Sequence, residues 1–223
     1  MKFGVVVFPG SNCDDDIITA LRDEMKQEVI KLWHKDKDLS AFNKSDCIIL
    51  PGGFSYGDYL RCGAIAKFSP MMQSVIEFAN NGGKVLGICN GFQILCETGL
   101  LPGVLLRNAN MQFVCKNIFI TNQNDTNKDV YKIPIAHGEG RYYANEETLE
   151  SLVKNKQILY TYCDEKGNAN EAYNPNGAML NIAGIRNGNG NIIGMMPHPE
   201  RACSKSLHNE DGKKVLSQIF SIN

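Results

Sequence analysis

Short apolar runs alternate with segments of helical periodicity through the first half of the chain. Phe3 to Phe8 is a continuous apolar run of strand length. Ile17, Ile18, Leu21 and Met25 then recur at the spacing of one helical face, after Asn12 and Asp14, which supply capping groups and negative charge at the helix start. A second strand is expected over Glu28 to Leu32, and a third over Cys47 to Leu50 that stops abruptly at Pro51-Gly52-Gly53. Ser69-Pro70 offers an N-cap with proline at the first helical position; Met72, Val75, Ile76 and Ala79 line one face, and Gly82-Gly83 ends the helix. Val85 to Ile88 is the next strand. It runs directly into Cys89-Asn90-Gly91, and Phe92 to Thr98 has helical character with Gly99 as its stop. Strands alternating with helices in this way predict an α/β fold with an open, mostly parallel sheet flanked by helices.

The second half changes character. Alternation in Phe113 to Thr121, Lys132 to Ile135 and Gln157 to Tyr162 predicts antiparallel strands, interrupted by the polar stretch Asn122 to Asp129. Asn187-Gly188-Asn189-Gly190, between Ile182 and Ile193, reads as a hairpin turn. A helix over Asp211 to Phe220 closes the chain.

Bulk properties narrow the class. A chain of 223 residues is long enough for one large α/β core, so a single domain over 1–223 is expected. The formal charge of −1, with scattered Lys and Arg, offers no basic stripe for a phosphate backbone and argues against nucleic acid. No apolar run approaches membrane length and the N-terminal run lacks the features of an export signal, so a cytoplasmic protein is expected. The eight cysteines include no CxxC pair, and in a chain of this size they read as reduced thiols. His34 and His208 stand apart from other ligand types, and no metal centre is expected.

Gly87-Ile-Cys89-Asn-Gly91 sets a nucleophilic residue between two glycines at a strand-to-helix junction, the pattern of a nucleophile elbow. Glycines serve there because the turn is sharp, and the positive end of the following helix favours a thiolate. Taken alone, the pentapeptide fits a packed turn with a buried thiol equally well. Pro197-His198-Pro199-Glu200 supplies an acid–base candidate with an orienting carboxylate; in an extended segment His198 and Glu200 would point to one face. An oxyanion hole in elbow enzymes uses the N–H after the nucleophile and one from a loop after a neighbouring strand, which here points to Asn90 and Gly53.

In that order, the segments Pro51-Gly52-Gly53, Gly87 to Gln93 and Pro197 to Glu200 resemble the class I glutamine amidotransferases. The Phe54 to Ala66 stretch and His137-Gly-Glu-Gly-Arg141 are similar to those of the glutaminase subunits of phosphoribosylformylglycinamidine synthase. The resemblance covers essentially the whole chain. It implies that Cys89 attacks the carboxamide of glutamine, and that His198, oriented by Glu200, protonates the leaving ammonia and then activates water against the glutamyl thioester. It implies further that Gln93 and the loop His137, Gly138 and Glu139 hold the amino-acid end of glutamine.

The chain carries no G-x-x-x-x-G-K-[ST] segment and no dinucleotide fingerprint, so no cofactor is expected on it. The resemblance assigns ATP, magnesium and formylglycinamide ribonucleotide to a large synthetase subunit, joined by a small bridging subunit, with ammonia passing between active sites. Two other readings stay open at this point: a cysteine-dependent hydrolase or peptidase on the same scaffold, and a binding subunit without turnover. The loop Tyr56 to Arg61, next to Gly53, is rich in polar and aromatic groups and is a candidate gate for the site.

Overall fold

The computed structural model describes residues 1–122, 124–125 and 129–221, so the middle of the polar stretch Asn122 to Asp129 and the last two residues lie outside it. The described residues form two compact units, one within 1–102 and 186–194, the other within 103–185 and 195–221.

In the first unit the apolar runs are strands: β1 (Lys2–Val7), β2 (Glu28–Trp33), β3 (Cys47–Leu50) and β4 (Lys84–Ile88). They pair in parallel in the order β2, β1, β3, β4. Every residue of β3 is buried, as expected of a strand covered on both faces. Helix α1 (Asp14–Thr19) follows β1, α2 (Pro70–Asn80) precedes β4, and α3 (Asn90–Glu97) follows it.

The capping expectation at α1 needs correction. The N-cap is Cys13, without a side-chain cap, so Asn12 and Asp14 do not close the helix; what remains of the start signal is the acidic first turn Asp14 to Asp16. The helix also widens into a π-turn over Ala20–Glu24, which apolar spacing could not reveal because Leu21 and Met25 stay on the buried face. At α2 the expectation holds, since the Ser69 side chain accepts from Met72 N at 3.2 Å. Segment 186–194 returns to this unit as a turn and the strand Ile192–Met195 beside β4, with Asn191 O accepting from Val85 N at 2.8 Å. The Asn187 to Gly190 turn is closed by Asn187 N donating to Ile192 O.

The second unit holds β5 (Val104–Leu106), β6 (Val114–Asn122), β7 (Val130–His137), β8 (Arg141–Tyr143), α4 (Glu146–Lys154), β9 (Ile158–Cys163), β10 (Ile182–Arg186) and α5 (Asp211–Phe220). Its strands run antiparallel in the order β10, β9, β6, β7, with β5 and β8 as a separate pair. β7 is longer than its sequence signal, and its period-two pattern buries Tyr131, Ile133, Ile135 and His137 on one face. His137 is therefore the last residue of a strand, and the loop begins at Gly138. Helix α5 is tied to β7 by Lys132 N donating to Asp211 Oδ2 and by Gln218 Nε2 donating to the Tyr131 hydroxyl. Among the described residues no helix is long and apolar enough to cross a membrane.

Candidate active site

The residues singled out in the sequence fall into two groups, one in each unit. In the first unit Cys89 joins β4 to α3 with φ 51° and ψ −106°, a backbone conformation that side-chain-bearing residues rarely adopt. The flanking glycines make this turn possible by close approach. A Cβ on Gly91 would lie 1.9 Å from Leu50 O, and one on Gly87 2.6 Å from the Gly91 carbonyl. Cys89 is buried and stands at the N-terminus of α3, where the helix dipole favours negative charge on sulfur. Burial pushes the Cys47 thiol up to about 12 and raises Cys96 as well, which keeps those two protonated.

The Asn90 N–H opens α3 and so has no helical carbonyl one turn earlier to bond. Gly53, after β3, has φ 116°, and a Cβ there would lie 2.6 Å from the Asn12 amide nitrogen and side-chain oxygen. Only glycine fits that turn. The following loop is laced to the β1–α1 turn by Phe54 N donating to Gly10 O and Tyr56 N to Pro9 O. It reaches the elbow through Ser55 N, which donates to Asn90 Oδ1 at 3.1 Å. Gln93, one turn into α3, accepts from Asn90 Nδ2 at 2.9 Å through Oε1 and is buried. His34 is buried, with the Tyr56 hydroxyl 2.5 Å from its Nδ1; desolvation lowers its pKa.

In the second unit His198 Nδ1 lies 2.6 Å from Glu200 Oε1, and both side chains are 1 % exposed. The expected extended segment is absent, because Pro199–Ala202 forms a 3-10 turn, yet the turn brings the two side chains together all the same. The segment is fixed by His198 N donating to Pro134 O at 2.9 Å and by α5, whose Gly212 lies so close that a Cβ would come within 1.8 Å of Pro199 O. With Nδ1–H donated to the carboxylate, the imidazole lone pair is on Nε2, the tautomer of a general base.

His137 is held differently. Its Nδ1 lies 3.1 Å from Asn108 Oδ1, Asn176 Nδ2 lies 3.5 Å from its Nε2, and the ring packs so tightly on Gly140 that a Cβ there would come within 2.3 Å of it. Burial, then the charge of His198, pushes its pKa down to about 4, so the ring is neutral. Asn108 also donates to His137 O and to Gln112 O and accepts from Gly140 N. Asn176 donates to Gly140 O as well. These two asparagines, which build the Gly138 to Gly140 loop, were not found by sequence reasoning; in a chain with many asparagines nothing local marks them. Gly138 and Glu139 in that loop are both half-buried. Among the described residues no group of three or more His, Cys, Asp or Glu is placed to hold a metal ion.

A family model for the CobB/CobQ-like glutamine amidotransferase domain matches residues 1–221. A protein of Moorella thermoacetica named phosphoribosylformylglycinamidine synthase subunit PurQ is 55% identical over 227 residues, covering 98% of this chain and 95% of the relative. The protein of the same name in Chlorobaculum tepidum is 52% identical over 226 residues, with 98% and 95% covered. Among solved structures, a chain of PurLQS from Thermotoga maritima superposes with a TM-score of 0.83 at 38% identity, covering 99% of this chain and 97% of that one. With a left-handed cysteine elbow followed by a buried His–Glu pair, and matches that run nearly end to end, the chain belongs to the CobB/CobQ-like glutamine amidotransferases of class I.

Proposed function

We propose that this chain is the glutaminase subunit of a phosphoribosylformylglycinamidine synthase in purine biosynthesis, hydrolysing glutamine to glutamate and ammonia. The observation that carries the reading is the left-handed Cys89 at the head of α3, in a chain 55% identical along nearly its whole length to a named subunit of that enzyme. Residues 1–223 are taken as one functional amidotransferase domain.

In this reading His198 takes the proton of the Cys89 thiol, the thiolate attacks the side-chain carbonyl carbon of glutamine, and the N–H groups of Asn90 and Gly53 receive the oxyanion. The tetrahedral intermediate collapses by breaking the C–N bond, with His198 giving its proton to the leaving nitrogen. Ammonia departs and a glutamyl thioester remains. His198 then takes a proton from water as the water attacks the thioester, and the thiolate leaves with glutamate as product. Glu200 holds the imidazole in the tautomer that both steps need. Gln93 and the loop of His137, Gly138 and Glu139 face the amino-acid end of glutamine.

The ammonia is consumed by a large synthetase subunit that binds ATP, magnesium and formylglycinamide ribonucleotide and yields formylglycinamidine ribonucleotide, with a small bridging subunit completing a cytoplasmic complex. The test mixes this chain with the synthetase components and follows glutamine- and ATP-dependent amidation of formylglycinamide ribonucleotide. Amidation that disappears with Cys89→Ala when glutamine is the donor, and survives when ammonium salt replaces it, is the expected result. Amidation from glutamine that persists in the Cys89→Ala protein overturns the proposal.

A further inference from the structure

The loop after Gly53 is joined to the elbow by a carboxylate to which the proposed chemistry gives no task. Asp58 Oδ1 accepts from Asn90 Nδ2 at 3.1 Å, and Asp58 Oδ2 accepts from Cys62 Sγ at 3.1 Å. The same Asn90 amide nitrogen donates to Gln93 Oε1, and the Asn90 amide oxygen accepts from Ser55 N. One side chain, 1 % exposed, is thus pinned to the loop before Asp58, to Asp58 itself and to the next turn of α3.

The backbone shows what holds the carboxylate there. Tyr56, Gly57, Asp58 and Leu60 all have positive φ, at 54°, 69°, 52° and 71°. Three of the four carry side chains, for which this conformation is costly, and such strain persists where surrounding contacts over-determine it. The left-handed run turns the chain so that Asp58 faces Asn90 while the neighbouring Tyr59 and Leu60 stay exposed. Arg61, on the far side of that exposed pair, donates to Glu97 Oε2 at 2.6 Å, so the loop is tied to both ends of α3.

The geometry points to Asp58 as a positioning residue of the glutaminase reaction: through the Asn90 side chain it fixes the first turn of α3, and with it the aim of the Asn90 N–H at the developing oxyanion. This inference rests on the reading of Cys89 as nucleophile and the Asn90 N–H as oxyanion donor. The two functions of the turn separate cleanly. The reactivity of the thiolate is set by the elbow and the helix terminus, whereas oxyanion stabilisation needs a donor held in register with the carbonyl oxygen. Loss of Asp58 leaves the first intact and loosens the second, an effect on turnover of about 10–100-fold.

Two substitutions isolate the carboxylate from the backbone. Asp58→Gly removes it while tolerating positive φ, and Asp58→Asn keeps an acceptor oxygen for Asn90 and places an amide beside the Cys62 sulfur. With the synthetase components present, the measurements are kcat and KM for ammonia release from glutamine, together with the rate at which iodoacetamide alkylates Cys89, read at that peptide by mass. Alkylation occurs at a saturated carbon and forms no oxyanion. Asp58→Gly is expected to lower kcat by about 10–100-fold, with KM shifting less than about threefold and Cys89 alkylation unchanged within about twofold. Asp58→Asn is expected to stay within about threefold of the wild type. An Asp58→Gly protein with wild-type kcat overturns the inference, as does an Asp58→Asn protein equally impaired, or alkylation that falls in step with turnover. Wild-type protein that releases no ammonia overturns the functional reading and this inference with it; an active wild type with an equally active Asp58→Gly overturns this inference alone.

Discussion

His198 Nδ1 stands 2.6 Å from Glu200 Oε1, with neither side chain reaching solvent. A buried carboxylate on one ring nitrogen selects the tautomer of the other, so Glu200 acts on the reaction only through the imidazole. Glu200→Gln keeps the volume and removes the charge that stabilises an imidazolium. Its kcat for glutamine hydrolysis is expected to fall by about 10²-fold or more, with KM nearly unchanged. Steady-state ammonia release checks this, and a Gln variant with the wild-type kcat would show that Glu200 does not orient the base.

Gly91 is required for a different reason. A Cβ there would meet Leu50 O at 1.9 Å, and that atom belongs to the backbone of a fully buried strand that cannot swing aside. Gly91→Ala should therefore force β3 and α3 apart, destabilising the protein by about 3 kcal/mol. Denaturant unfolding measures this directly. A loss well under about 1 kcal/mol would mean that the elbow has more slack than its geometry indicates.

The parts of this molecule that could be read from the chain are those whose cause is local. Cys47 to Leu50 and Val85 to Ile88 are short apolar runs, and both are buried parallel strands. The glycines around Cys89 announce a turn that a side chain would block, and the structure shows the blocking atoms. Helix α4 escaped notice although its start signals are present: Asn145 accepts from Thr148 N, and Glu146 and Glu147 fill the first turn. It buries only Leu149 and Leu152, too few apolar positions to stand out in a strongly charged segment. The setting of His137 was illegible for the opposite reason. Its partners Asn108 and Asn176 lie 29 and 39 residues away, and tertiary pairing of that range leaves no periodicity behind. Asp58 is intermediate, since Gly57 hints at a turn but not that three side-chain-bearing neighbours share its left-handed backbone.

Desolvation raises three of the eight thiols. Cys47 is pushed up to about 12 by desolvation, Cys163 likewise, and Cys96 is raised by the same cause. An electrophilic glutamine analogue at about pH 8 should therefore label Cys89 and spare these three, because only a thiolate attacks and theirs is scarce at that pH. Peptide mass analysis after brief exposure gives the answer, and excess glutamine should protect Cys89. Labelling of Cys47 at a comparable rate would contradict this ranking.

His137 makes stability depend on pH in a definite direction. Its folded pKa is depressed to about 4, first by burial and then by the charge of His198, whereas an unfolded histidine titrates near 6.5. Between those values the unfolded chain binds a proton that the folded ring refuses. The stabilising contribution is thus fully present above about pH 6.5 and is lost as the pH falls toward about 4, by up to roughly 3 kcal/mol. Below that, the folded ring must take up its proton while Asn108 Oδ1 and Asn176 Nδ2 stay fixed around it; the first still accepts, but the second presents a donor to a nitrogen that has also become one. His137→Gln removes the titrating group, and denaturant unfolding of both proteins at about pH 7 and about pH 5 isolates its share. The wild type should lose more stability than the variant across that interval. Equal losses in the two proteins would place the acid sensitivity elsewhere in the fold.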